Sequence, residues 1–220
     1  MKKTFPIVSI VLALTTLVAS AAVAIAVGGA PWSMAPILAL RNYGGVDNAQ
    51  LANGEFWRLV TSQFVHVFQA HMLFNVMSLF LLGLAVERAT GSFRLALLWL
   101  LSGVAGTYAS IYAVPPPYDI GSGASQAIMG VAASAIVVLW RKHDTPRWLI
   151  VAVVVTLVNG AALDLVFAAR VKPGHVVGFL VGLILAAVLV PKNTGRLISR
   201  QHQNMLVTPR REVDPAASNR

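Results

Sequence analysis

Residues 123–140 read GASQAIMGVAASAIVVLW, an apolar run whose first residues are small or polar. A helix that crosses a bilayer needs about 20 mostly apolar residues, because each adds about 1.5 Å and the hydrocarbon core is about 30 Å thick. Six such blocks occur in the chain, at about residues 5–27, 70–86, 95–114, 124–140, 148–169 and 175–190. The sequence therefore predicts an all-α, polytopic membrane protein with a bundle of six transmembrane helices.

The composition supports a membrane protein and excludes several other classes. Of the 220 residues, 57% are hydrophobic and 11% are charged, whereas soluble domains carry about 25% charged residues. The net charge of +9 comes from residues between the apolar blocks, which does not fit a basic face for nucleic acid. Since the chain has no cysteine, any covalent chemistry would use oxygen or imidazole.

The distribution of lysine and arginine predicts the orientation of the helices. Thirteen of the 17 basic residues lie in the termini and gaps on one side of the predicted bundle, and four lie on the other. Cytoplasmic segments are enriched in these residues, so we expect both termini in the cytoplasm and the protein in the bacterial inner membrane. Residues 1–190 would form the transmembrane domain, and residues 191–220 a basic, disordered cytoplasmic tail.

Two segments have more than one interpretation. Residues 5–27 resemble a signal peptide, but 23 residues exceed the usual signal core of about 7 to 15 and favour a retained helix. The segment of about forty residues that follows is too apolar for a plain aqueous loop. It either lies in the outer interface, where Trp32 and Trp57 would suit the headgroup layer, or forms a small packed extracellular lid.

Polar side chains open each even-numbered block: His71 and Asn75 in the second, Ser125 and Gln126 in the fourth, and His175 in the sixth. The separation from the first basic residue at the far end of the block is 17 residues for His71, 16 for Ser125 and 17 for His175. These separations correspond to about 24 to 26 Å of helix. The three groups are therefore predicted to share one level beneath the outer surface. Polar residues inside a membrane are functional candidates by default.

The residues around Ser125 and His175 indicate how the two could meet. Three prolines at 115–117 and the glycines at 121 and 123 favour an irregular segment, so that Ser125 begins a helix whose free N–H groups favour negative charge. His175, Gly178 and Gly182 lie on one helix face, and such spacing allows close approach of another helix. If that neighbour is the fourth helix, His175 can activate Ser125 as a nucleophile.

The remaining polar residues fit this chemistry but also have structural interpretations. His71 and Asn75, one helical turn apart, could donate hydrogen bonds to the oxyanion of a tetrahedral intermediate. A serine in a membrane helix commonly serves packing, and a lone histidine can belong to a proton path or a small transporter. His66, at the rim of the membrane, is predicted to be a satisfied interfacial residue. Only the conjunction of these groups favours catalysis.

The ordered motifs of the chain resemble those of the rhomboid family of intramembrane serine proteases. The resemblance extends from about residue 54 to 185. Its elements are Trp57-Arg58, His66, His71-Met-Leu-Phe-Asn75, Gly83-Leu-Ala-Val-Glu87, Gly91-Ser92, Gly123-Ala-Ser125 and Gly174-His175-Val-Val-Gly178-Phe-Leu-Val-Gly182. The ordered HxxxN, GxS and HxxGxxxG set is highly specific, although no single element is.

The resemblance implies a rhomboid-like six-helix fold and a catalytic mechanism. Ser125 would be the nucleophile and His175 the general base of a dyad without an acidic third member. His71, Asn75 and the Ser125 amide would be the oxyanion donors. The substrates would be single-pass membrane proteins cut in or near their transmembrane segment, within the lipid bilayer and without a metal or organic cofactor.

The resemblance also implies supporting residues and exposes two departures. Trp57 and Arg58 would brace the first loop, and Glu87 would join hydrogen bonds at the cytoplasmic end of the second helix. The family usually has glycine after the serine, where this chain has Gln126, and an aromatic ring where it has Met129. An alternative is therefore a catalytically inactive rhomboid-like protein that binds and escorts membrane segments.

Overall fold

Most of the chain is helical in the computed structural model, which describes residues 5–142, 144–168 and 171–192. The helices are α1 (Ile7–Gly28), α2 (Asn48–Ala52), α3 (Arg58–Thr61), α4 (Gln69–Thr90), α5 (Ser92–Tyr112), α6 (Ser125–Arg141), α7 (Trp148–Ala168) and α8 (Pro173–Leu189), with 3-10 turns at Ile37–Tyr43 and Ser62–Phe64. The six long helices coincide with the six apolar blocks, so the all-α prediction is confirmed. Of the predicted tail at 191–220, residues 193–220 lie outside the described residues.

The six apolar helices differ in length. Helices α1, α4, α5 and α7 are each long and apolar enough to cross a membrane, whereas α6 and α8 have 17 residues each. Seventeen residues rise about 25 Å, at the short end of the range for membrane-spanning helices. The two short helices are those whose first turns carry Ser125 and His175.

Helix α6 is the centre of the bundle and contacts α4, α5, α7 and α8. Most of its side chains are buried, which its many alanine, glycine and serine residues permit. Helix α8 lies close against it at two glycines. A methyl group at Gly178 would overlap the carbonyl group of Gln126, and one at Gly182 would overlap the backbone of Gly130. Small residues at this spacing fix α8 against α6.

Glu87 joins three helices at the end of α4. Its Oε1 accepts hydrogen bonds from the Val8 N–H at 3.0 Å and the Ser92 hydroxyl at 2.6 Å. Its Oε2 accepts from the N–H and the hydroxyl of Ser9, at 2.8 and 2.6 Å. Glu87 therefore caps the N-terminus of α1, where Pro6 supplies no capping side chain. The hydrogen bonds expected of Glu87 are present and tie α1 to α4 and α5.

Residues 29–68 and 113–124 meet at the opposite end of the bundle, called the loop end below. An isolated antiparallel bridge between Val46 and Gly121 pairs the two segments. Val46, Leu51 and Leu59 of the first segment also form a small apolar cluster with Ile111 of α5. Residues 29–68 are thus packed against residues 113–124, which is compatible with both interpretations of the segment.

Arg58 and Trp57 occupy different positions within this structure. The Arg58 guanidinium donates hydrogen bonds to the carbonyl oxygens of Arg41 at 2.8 Å and Gly45 at 3.0 Å, so it holds distant parts of the segment together. The Trp57 ring is half exposed and lies under the same guanidinium, 4.5 Å from its carbon. Arg58 therefore makes the bracing contacts, while Trp57 presents an aromatic surface that would suit the headgroup layer.

Candidate active site

Ser125 and His175 lie together inside the bundle, near the loop end. Ser125 is the first residue of α6 and His175 lies in the first turn of α8, and each is 7% exposed. The Ser125 Oγ is 2.8 Å from the Nε2 of His175, a hydrogen-bond distance. The glycine contacts between α6 and α8 allow the helices to approach this closely. The structure thus brings together the two groups that the sequence placed at one depth.

The other ring nitrogen of His175 faces a carboxylate. Its Nδ1 is 2.7 Å from the Oδ2 of Asp164 in α7, and the same oxygen accepts a hydrogen bond from the Lys172 N–H at 2.9 Å. An ionised carboxylate only accepts hydrogen bonds, so Nδ1 carries the ring proton and Nε2 is left to accept one from Ser125. The resemblance implied a pair without an acidic third member, and the structure differs on this point.

Asp164 is the residue of this site that the sequence interpretation missed, although a signal was present. It is a charged residue inside the apolar block 148–169. Ionisable residues within such blocks are rare and usually functional. The other polar candidates lie at the start of a helix. Asp164 lies near the end of α7, because α7 runs in the opposite direction.

His66 anchors the segment that leads into α6. Its Nε2 accepts a hydrogen bond from the Ala124 N–H at 3.2 Å, and its Nδ1 lies 3.3 Å from the Ser20 hydroxyl of α1. Burial, reinforced by the neighbouring His71, lowers the pKa of His66 to about 3, so the ring is neutral and free to accept. Gly123 precedes Ala124 with a φ of +92°, a conformation that favours glycine. His66 therefore has hydrogen-bond partners and is buried within the protein.

Asn75 links His66 to His71. Its Nδ2 lies 3.0 Å from the Nε2 of His66 and 3.2 Å from the Nε2 of His71, so its two N–H bonds are both directed at imidazoles. The Nδ1 of His71 then carries that ring's proton, and it is buried without a hydrogen-bond partner among the described residues. His71 therefore offers a free donor, whereas Asn75 must release a histidine before it can donate elsewhere.

Gln126 does not separate the serine from the histidine. Its side chain lies against α5, where a methyl group at Gly106 would be 2.7 Å from the Gln126 Cβ. Its Oε1 is 3.3 Å from the Ser125 Oγ, farther than the imidazole nitrogen at 2.8 Å, so the ring is the nearer acceptor for the hydroxyl proton. Met129 is also accommodated, because its methyl group fits against Gly160 of α7.

A buried serine, imidazole and carboxylate lie in hydrogen-bonding order within a bundle of apolar helices, an arrangement that serine hydrolases use. Comparison with known proteins gives the family, because a sequence model of the rhomboid domain matches residues 53–192. The chain belongs to the rhomboid family, which contains intramembrane proteases, and is an integral membrane protein. The resemblance drawn from the motifs is confirmed.

Known relatives include both proteases and an inactive protein. The chain is 34% identical over 152 residues to the rhomboid protease GluP of Bacillus subtilis, across 68% of this chain and 29% of GluP. It is 30% identical over 176 residues to the rhomboid protease AarA of Providencia stuartii, across 67% and 62%. It is 31% identical over 108 residues to the inactive RHOMBOID-like protein 8 of Arabidopsis thaliana, across 48% and 31%. The chain therefore spans less than two thirds of the length of these relatives.

Proposed function

We propose that the protein is an intramembrane serine endopeptidase. The observation that carries this proposal is the 2.8 Å contact between the Ser125 Oγ and the His175 Nε2, made at the N-terminus of a buried helix. A serine within hydrogen-bond reach of a neutral imidazole is an activated nucleophile. The helix N-terminus adds free N–H groups and a dipole that favour developing negative charge.

In the proposed reaction, His175 Nε2 takes the hydroxyl proton as the Ser125 Oγ attacks the carbonyl carbon of the scissile peptide bond. The oxyanion of the tetrahedral intermediate accepts hydrogen bonds from the Ser125 N–H, from the Nδ1–H of His71 and, after Asn75 releases a histidine, from Asn75. His175 then gives the proton to the leaving amine. Water hydrolyses the acyl-enzyme, with the same histidine as base.

The proposed substrates are single-pass membrane proteins cut in or near their transmembrane segment. The reacting groups begin the two shortest apolar helices and lie inside the bundle, so a substrate must bring its peptide bond in from the bilayer or from the loop end. The carbonyl groups of a helix are engaged in hydrogen bonds. A substrate helix must therefore unwind locally before attack. The proposed reaction uses no metal or organic cofactor.

A serine-directed phosphonate tests this assignment in detergent-solubilised protein. We expect labelling of the wild type and its loss in Ser125→Ala. Ser134→Ala is the matched control, because Ser134 lies on the same helix and donates to the Gly130 carbonyl at 2.8 Å. Labelling that persists in Ser125→Ala contradicts the assignment. A panel of tagged single-span proteins then tests for cleavage.

The proposed topology places both termini in the cytoplasm of a bacterium, with the loop end outside. The chain contains no cysteine, so single-cysteine variants can be labelled without background. Asn53 and Asp144 are exposed residues at opposite ends of the bundle. A membrane-impermeant maleimide should label Asn53→Cys in intact cells and Asp144→Cys only after permeabilisation. The reverse pattern would invert the topology.

A second candidate is an inactive rhomboid-like protein that binds and escorts membrane segments. Gln126 favours it, as does the similarity to an inactive relative. It predicts capture of a transmembrane helix without cleavage, and gain of cleavage in Gln126→Gly. The short contact between Ser125 and His175 beside Gln126 supports the protease instead. Cleavage by the unaltered protein ends this candidate.

A further inference from the structure

Asp164 is a buried charge that the described residues satisfy only in part. Its side chain is 1% exposed, and a carboxylate in apolar surroundings is unfavourable unless it is paired and hydrogen-bonded. The Oδ2 accepts from the Lys172 N–H and the His175 ring, while the Oδ1 has no hydrogen-bond partner among the described residues. The Lys172 ammonium is 3.8 Å from the Oδ1, on a side chain that is half exposed.

If Asp164 served only to connect α7 to α8, its hydrogen bond from the Lys172 N–H would be sufficient. That bond, at 2.9 Å, already joins the carboxylate to the residue that precedes α8. The bond to the His175 Nδ1 is shorter, at 2.7 Å, and reaches the ring whose other nitrogen contacts Ser125 at 2.8 Å. Carboxylate, imidazole and hydroxyl are therefore connected through one ring, in the order that proton transfer from a serine requires.

We infer that Asp164 is a positioning residue that keeps the ring proton of His175 on Nδ1, an inference that rests on the proposed function. In this tautomer Nε2 can accept the Ser125 proton, whereas the opposite tautomer would place an N–H against the hydroxyl. As Oγ bonds to the carbonyl carbon, its proton moves to Nε2 and the Nδ1 proton stays on the ring. Asp164 remains ionised, stabilises the imidazolium and does not touch the substrate.

Asp164→Asn, made in the full chain, tests this inference. The new amide has the shape of the carboxylate, but its NH₂ group can donate to Nδ1 and so move the ring proton to Nε2. We expect kcat for cleavage of a tagged single-span protein to fall about 10²- to 10⁴-fold, with KM changed by less than about threefold. Nitrogen-15 NMR of histidine-labelled protein should show the tautomer change at His175. Asp164→Glu, which keeps a carboxylate, should regain part of the lost kcat.

Thr156→Val is the matched control on the same helix. The buried Thr156 hydroxyl donates to the Ser78 Oγ of α4 at 3.2 Å, so this variant also removes a buried polar contact of α7. It should change neither kcat nor the His175 tautomer. An Asp164→Asn protein that keeps both its kcat and the tautomer overturns the inference, and so does an equal loss of kcat in Thr156→Val.

The inference and the proposed function fail in distinguishable ways. A wild type that the phosphonate does not label and that cleaves nothing refutes the proposed function, while the tautomers of wild type and Asp164→Asn still decide whether Asp164 orients His175. A wild type and an Asp164→Asn protein of equal activity leave the proposed function standing and refute the inference. If Asp164→Asn does not fold, a wild-type ring with its proton on Nε2 overturns the inference. A proton on Nδ1, together with activity in Asp164→Glu, supports it.

Discussion

Two buried carboxylates at opposite ends of the bundle, Asp164 near the loop end and Glu87 at the other end, differ in their partners. Each is 1% exposed. Glu87 accepts four hydrogen bonds, all from backbone N–H groups and serine hydroxyls of α1 and α5. Asp164 accepts two from the described residues, and one of these comes from an imidazole.

The partners of a buried charge, more than its burial, thus indicate its role. The donors around Glu87 keep their protons at all physiological pH values, so its network is complete and static. The imidazole beside Asp164 can gain and lose a proton. A buried carboxylate next to such a ring is suited to stabilise a positive charge that develops during a reaction.

Replacement of the base should give the largest effect and the clearest contrast between the two ends. In His175→Gln the amide cannot take a proton from Ser125, so we expect kcat to fall about 10⁴- to 10⁶-fold. Glu87→Gln changes no group near the site, and its kcat should stay close to that of the wild type below its unfolding temperature. Cleavage of the same tagged substrate measures both variants. Comparable losses would remove the distinction between the ends.

The second effect should come from moving α8 without altering a reacting group. A methyl group at Gly178 would overlap the Gln126 carbonyl group, which belongs to the backbone and cannot swing aside. We expect Gly178→Ala to lower kcat about 10²-fold, because a shift of about 1 Å in a reacting group has effects of this size. Gly160→Ala is the control, since its methyl would meet only the flexible end of Met129. Equal losses in the two variants would contradict this account.

The sequence predicted the helices and the central pair because both leave signals along a single stretch of chain. The length of an apolar block predicts a membrane helix. The predicted start of the fourth block at Ala124 agrees with the start of α6 at Ser125. The nearly equal separations of Ser125 and His175 from the basic residues at the far ends of their helices predicted a common depth. The HxxGxxxG spacing of α8 predicted that another helix packs closely against it.

The charge of Asp164 inside an apolar block was visible in the sequence, but the partners that residues contact across distant segments were not. Asp164 reaches His175 only because the end of α7 lies beside the start of α8, which depends on how the helices are arranged around α6. From the sequence, His66 could be placed only by its position before a predicted helix, and its burial within the protein was not predicted. The hydrogen bonds from His66 to Ser20 and Ala124 join α1 to the start of α6, and no local pattern reports a contact between segments so far apart.

At the end remote from the site, Glu87→Gln should lower stability rather than activity. The amide oxygen can replace only one carboxylate oxygen, and the new NH₂ group would face the Val8 or Ser9 N–H, which are donors themselves. Loss of charge-assisted hydrogen bonds and burial of unsatisfied donors should cost about 2 to 4 kcal/mol. Thermal unfolding in detergent measures this loss. Glu55→Gln, which breaks a more exposed pair with Arg58, should cost about 1 kcal/mol or less. An unchanged unfolding temperature in Glu87→Gln would show that α1 does not depend on this cap.

The smallest expected effect is on the pH dependence of stability and concerns His66. This residue lies at the loop end and, unlike His175, is predicted to stay neutral. Burial lowers the pKa of His66 from 6.5 to about 3, so the folded ring stays neutral while the unfolded chain takes up a proton below about pH 6.5. The contribution of His66 to stability is therefore complete above about pH 7 and declines by up to about 1.4 kcal/mol per pH unit below it, or about 2 kcal/mol at pH 5. In His66→Gln, an amide oxygen can still accept from the Ala124 N–H but does not titrate, so this part of the pH dependence should flatten. Unfolding temperatures of wild type and variant, compared between pH 8 and pH 5, measure the difference. Parallel pH dependences would mean that another group carries the acid sensitivity, and they would contradict the assignment of a neutral, buried ring to His66.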